Sequence, residues 1–133
     1  MIKYAINKKV VFEIISISED YTNNNTQFYS IKFSHNGDMH IEPFWRTPRA
    51  LPRLHQLIAA VKGEKLRWED APRDDVGIEK LKEIIGGYIE ASMNIEEYKG
   101  VERNRINWIN PLRNDPPPKS VVAVADSEDD IPF

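Results

Sequence analysis

Asn36-Gly37 constrains this chain more than any other pair of residues. Both residues tolerate positive φ, which a two-residue β-hairpin turn requires. The runs on either side fit that turn. From Phe28 to Ser34 the residues alternate, with Tyr29, Ile31 and Phe33 on one face and Ser30 and Lys32 on the other, and Met39 to Phe44 reads as the returning strand. A β-branched run, Val10 to Ser18, precedes them as a first strand, with a polar loop at about 18–27. The hydrophobic period then changes. Leu51, Leu54, Leu57, Ile58 and Val61 recur at helical spacing and Gly63 is a natural stop. The start is open between Thr47-Pro48 and Leu51, because Pro52 restricts it. Ile78, Leu81, Ile84 and Ile85 suggest a second short helix ended by Gly86-Gly87. Tyr88 to Tyr98 alternates again, Lys99-Gly100 marks a turn, and Arg103 to Ile109 forms the last strand.

The resulting order, β-β-β-α-(α)-β-β, places a helix between the third and fourth of five strands. That is the order of the OB-fold, a mainly β five-stranded barrel that often binds single strands. The domain ends near residue 113. Asn114-Asp115-Pro116-Pro117-Pro118 cannot continue a strand or helix, since the three prolines remove three donors and fix φ. Residues 114–133 therefore read as a disordered, proline-rich and acidic tail on a domain spanning 1–113.

Charge follows the same division. The net charge is −3, but residues 114–133 hold one lysine against five acids, a balance of −4, which leaves +1 for residues 1–113. A nucleic-acid reading must then rest on where the cations lie rather than on their excess. The absence of cysteine excludes disulfides and cysteine-based zinc sites and fits a reducing cytoplasm. No run is long enough to cross a bilayer, so a membrane partner is not expected.

Catalytic patterns are missing. There is no phosphate-binding glycine loop, no nucleophile elbow and no metal spacing among His35, His40 and His55, which read as surface or packed residues. Adjacent carboxylates such as Asp74-Asp75 and Glu96-Glu97 read as solvated surface. No enzyme activity, cofactor or metal is expected.

Aromatic and cationic residues say more. A protein that binds single strands without sequence preference needs aromatic platforms beside cations. Trp45, Arg46, Arg49 and Arg53 lie together before and within the first helix, and Tyr98, Lys99, Arg103 and Arg105 lie together on the last hairpin. These eight are the candidate DNA contacts. Trp108 shares a face with Ile106 and reads as core, while Arg103, Arg105 and Asn107 share the opposite face. Trp45 is evenly open between core and contact. The Tyr29-Ile31-Phe33 face is either core or an apolar binding face, with Phe28 and Lys32 as the alternative. Trp68, in a polar loop, is unexplained by core packing and is either a cap over the barrel or a contact.

The last eight residues, Asp126-Ser127-Glu128-Asp129-Asp130-Ile131-Pro132-Phe133, resemble the acidic C-terminal tip of bacterial single-stranded DNA-binding proteins, and the final five match that tip letter for letter. The body resembles phage-encoded single-stranded DNA-binding proteins with an OB-fold. The residues that carry this are Phe44-Trp45, the helix LPRLHQLIAAV and the hairpin IEASMNIEEYKGVERNRINWINP, in which Asn104-Arg105 matches an Asn-Arg before the last strand. The resemblance implies a protein that coats single-stranded DNA in phage replication and recombination, located in the host bacterial cytoplasm. It also implies that Asp126, Glu128, Asp129, Asp130, Ile131, Pro132 and Phe133 dock onto replication, recombination and repair proteins. Physically, Phe133 suits an apolar pocket and the acids suit its basic rim. One rival reading is an interaction protein that imitates the tip and occupies a host enzyme without binding DNA. Another is a phage DNA enzyme such as a nuclease. Edge-to-edge homo-oligomers are compatible with an open barrel, and nothing in the sequence requires them.

Overall fold

The computed structural model describes residues 8–112, so the tail and its tip lie outside the described residues. Five strands form one antiparallel sheet: β1 (Lys8–Tyr21), β2 (Gln27–His35), β3 (Asp38–Trp45), β4 (Tyr88–Tyr98) and β5 (Val101–Asn110), in the order β3-β2-β1-β4-β5. Helix α1 (Leu51–Val61) lies between β3 and β4 in sequence, followed by a short helix α2 (Ile78–Leu81). The fold is mainly β, as expected. Among the described residues no helix is long and apolar enough to cross a membrane.

Turn chemistry sets the register. Asn36 and Gly37 have φ of 50° and 86°, and they close His35 onto Asp38. Lys99 and Gly100, at 52° and 78°, close Tyr98 onto Val101 in the same way. The expected 18–27 loop is shorter than the polar residues suggested. β1 continues through Glu19, Asp20 and Tyr21, which pair with Tyr29, Phe28 and Gln27, so only residues 22–26 turn. Both faces of that extension are exposed, so it carries no apolar alternation to read.

β1 is shared by both halves of the sheet. Its first half pairs with β4 and its second with β2, with a bulge between Ile14 and Ser16. At the crossover Ile14 donates to Gly87 O at 2.9 Å and accepts from Gly86 N at 2.8 Å. Gly86-Gly87 is therefore a helix stop that also joins the sheet. Close approach requires glycine here, since a Cβ on Gly87 would lie 2.5 Å from Val61 Cγ1.

The core fills the inner face of the curled sheet. Tyr29, Ile31 and Phe33 are fully buried with Phe12, Ile14, Phe44, Ile89 and Met93, so that face of β2 is core. Helix α1 begins at Leu51, with Pro52 in its first turn, and buries Leu51, Leu54, Leu57 and Ala60 against β3, β4 and β5. It ends as Gly63 predicts. Gly63 adopts φ 84° and donates to Ala60 O while Glu64 donates to Ala59 O, which satisfies two of the last carbonyls.

One expected face is corrected. Trp108 is 60% exposed rather than core. Ile106 pairs with Met93 but Trp108 pairs with Ser92, so Asn107 is an extra residue in β5. A bulge of this kind resets the alternation. Ile106 and Ile109 point inward, and Asn107 and Trp108 are both exposed.

Candidate nucleic-acid interface

β3 and β5 are the sheet's edges, and the sheet curls until they approach each other. Among the described residues no backbone ladder joins them. Glu42 does so instead. It lies on the inward side of β3 between His40 and Phe44 and is fully buried. Its Oε1 is 2.7 Å from His40 Nε2 and accepts from the Ile106 backbone N–H at 3.3 Å. Its Oε2 accepts from Arg53 Nη2 at 2.8 Å and Arg105 Nε at 3.1 Å. Arg53 also donates to the Ile106 carbonyl. A carboxylate and a guanidinium thus satisfy both polar groups of Ile106, as a neighbouring strand would. Burial pushes the Glu42 carboxyl up, but the His40 hydrogen bond and the Arg53 and Arg105 charges outweigh it and hold it below its ordinary value.

This network takes up two of the expected contacts, since the charges of Arg53 and Arg105 face Glu42, and Arg105 also meets Glu96 at 3.0 Å. Arg46 is engaged likewise. It donates twice to Asp75, at 3.0 and 2.7 Å, and once to Glu19 at 2.9 Å, and it lies 4.6 Å above the Tyr29 ring. The Asp75 hydrogen bond raises the Arg46 pKa further, and the same bond holds Asp75 below its ordinary value. Three of the predicted contacts therefore pin the fold together.

Arg49 is exposed in the turn before α1 and Lys99 in the β4–β5 turn. Tyr98 is placed by its backbone, opposite Val101. Arg103 is exposed on β5 and borders a groove of about 510 Å³ on the outer face of β2 and β3. The groove is lined by Tyr21, Phe28, Ile41, Pro43 and Trp45 as well. Strand alternation explains the set. Phe28 and Ser30 on β2, and Ile41, Pro43 and Trp45 on β3, all point away from the core. Phe28 pairs with Trp45 in register and their rings lie 4.9 Å apart, tilted. Trp45 is half-buried by this contact and is not part of the core, while Tyr21 and Ile41 are 60% and 57% exposed. Of this set, the sequence alone points to Trp45, Arg103 and, as an alternative, Phe28.

A smaller hollow of about 300 Å³ runs on along the β3–β5 seam and shares Ile41, Pro43 and Arg103 with the groove. Beyond it, a cleft of about 530 Å³ opens between Trp68 and Trp108, with Arg53, Lys65 and Arg67 on its walls. Trp68 is exposed and lines this cleft.

Among the described residues no group of three or more metal-ligating side chains is assembled. No protein-family model matches the chain, and no curated protein is significantly similar to it.

Proposed function

We propose that this chain is a single-stranded DNA-binding protein of OB-fold type, which coats exposed strands without sequence preference and recruits replication, recombination and repair proteins through its acidic 126–133 tip. The observation that carries the reading is the outer face of β2 and β3, where the tilted Phe28–Trp45 pair, exposed Ile41 and Tyr21, and Arg103 share one groove. Bases stack on aromatic faces whatever their sequence, and a neighbouring guanidinium meets phosphate. The strand order, the helix between β3 and β4 and the approach of β3 to β5 support an OB-fold barrel. In such barrels this strand face and the loops beside it bind oligonucleotides. The tip, which resembles that of bacterial single-stranded DNA-binding proteins, adds the recruiting role. No catalytic step is assigned to the chain.

A second reading has one observation in its favour. Arg46, Arg53 and Arg105 are all engaged by carboxylates, as a tip mimic that binds no DNA would allow.

The test is fluorescence anisotropy of a labelled oligo-dT, titrated across a salt series with the whole chain and with a chain stopped at Asn114, and with duplex as control. Single-strand preference in both forms is expected. Tighter binding by the shortened chain at low salt would mean that the tail competes with DNA for the body. No binding by either form at low salt would sink the coating function and favour the mimic.

A further inference from the structure

We propose that the cleft between Trp68 and Trp108 is a second single-strand contact, where a nucleobase lies against an indole and the flanking phosphates meet Lys65 and Arg67. This deepens the function proposed above and rests on it.

Two of the three tryptophans open onto this cleft, at 44% and 60% exposure. Neither helps the core. Paired large aromatics left in water beside cations mark a binding surface more often than a folding need. Trp108 owes its place to the Asn107 bulge, which interrupts the β4–β5 ladder and turns the indole outward. Bulges of this kind commonly re-aim a side chain at a site. Trp68 sits on a single 3-10 turn, Trp68–Asp70, and the loop before it is held to α1 by Gln56 Nε2 donating to Leu66 O at 3.0 Å. Lys65 donates to the Asn110 side-chain amide, so the loop is tied to β5 as well. These ties form the cleft before any ligand arrives.

Its lining carries Arg53, Lys65 and Arg67 against one acid, Glu69, and since Arg53 is held by Glu42, a polyanion would meet Lys65 and Arg67. Lys65 meets a neutral amide, which leaves its charge uncompensated in that contact, and Arg67 shares only an exposed pair with Asp70 at 3.2 Å. The cleft also adjoins the first site along one strand. The outward side of β5 brings Arg103 to the β2–β3 groove, Arg105 to the seam and Trp108 to the cleft. Five residues of strand span about 16 Å. A single strand that leaves the groove and follows the seam arrives between the two indoles.

The experiment compares wild type, Trp45→Ala, Trp68→Ala, Trp108→Ala and the double variant Lys65→Gln/Arg67→Gln in binding oligo-dT of about four and about sixteen nucleotides, the range of single-module site sizes. Both cleft tryptophan variants should bind the long oligomer about fivefold to a hundredfold more weakly and the short one as wild type does. The charge variant should flatten the salt slope of long-oligomer binding by about one for each cation–phosphate pair removed, and it decides the matter if a tryptophan variant fails to fold. If wild type binds, Trp45→Ala weakens it and every cleft variant binds the long oligomer normally, the cleft proposal falls alone and the pocket belongs to another occupant such as a protein side chain. If wild type binds neither oligomer, the function reading fails and takes this inference with it.

Discussion

Replacing Glu42 by alanine should be the most damaging single change to this fold. The carboxylate is fully buried and takes hydrogen bonds from Arg53, Arg105 and the Ile106 N–H, with His40 beside it. Its loss removes the buried charge that faces both guanidiniums and leaves the Ile106 N–H without its acceptor. Among the described residues, Arg53 then keeps only the Ile106 carbonyl as acceptor and Arg105 only exposed Glu96. Removing one partner of a buried ion cluster costs about 3–5 kcal/mol. Domains of this size have roughly 5–15 kcal/mol in total. At about 4 °C per kcal/mol for a domain of about 100 residues, Tm should fall by on the order of 15 °C at neutral pH. Acid titration gives a second, independent reading. The folded-state carboxyl is held below its ordinary value, so its contribution is complete above the unfolded pKa of about 4.3 and is lost as pH falls through the folded value. Glu42→Gln keeps the shape without the charge. The Tm gap between wild type and Glu42→Gln should therefore narrow as pH drops from about 7 to about 3. Thermal melts of both variants across that range test the account. A Glu42→Ala chain that melts within roughly 2 °C of wild type would refute it, and so would a Glu42→Gln gap that stays constant with pH.

Gly87→Ala should lower stability by about 1–3 kcal/mol, because the new Cβ would meet Val61 Cγ1 at 2.5 Å and Ile84 O at 3.0 Å, and a urea midpoint measures it. Trp45→Ala should weaken oligo-dT binding by about 1–3 kcal/mol at constant salt, read by anisotropy. Arg103→Ala should weaken it for all sequences alike and lower the salt slope by about one. The slope of the whole protein should be shallow. With about two to four phosphates met by cations of the groove and cleft, log K should fall by roughly 1.5–3 per decade of salt. A slope steeper than about 5 would mean that the internally paired arginines change partners on binding.

Local chemistry is legible in the sequence wherever it alone decides the structure. Asn36-Gly37 and Lys99-Gly100 need positive φ, and both hairpins close there. The Leu51-Leu54-Leu57 spacing and Gly63 define α1 from inside the helix. What escapes a sequence reading depends on residues distant in the chain. The Asn107 bulge is a mismatch between two strands, visible only once Trp108 is seen opposite Ser92. Alternation from Phe44 places Glu42 on the inner side of β3, so a charged residue at a core position is there to be read. Its partners are not, because Arg53 lies 11 positions away and Arg105 63. Arginines near aromatics are the DNA contacts that a sequence suggests. A folded chain uses that same pairing to stabilise itself, as Arg46 over Tyr29 and Arg53 over Phe44 do.

That overlap bears on how a protein with the proposed function would hold DNA. A body close to neutral cannot rely on a large release of counterions. Arg53 and Arg105 are held by Glu42, which bridges β3 to Ile106 of β5 where no ladder runs among the described residues. The surface is left with aromatic and aliphatic side chains in shallow grooves and a few cations at their margins. On the proposed function, stacking, which is indifferent to sequence and largely to salt, would supply most of the affinity. If the tip recruits partners as proposed, a weakly charged groove would compete poorly for it and would leave it to partners with a basic rim.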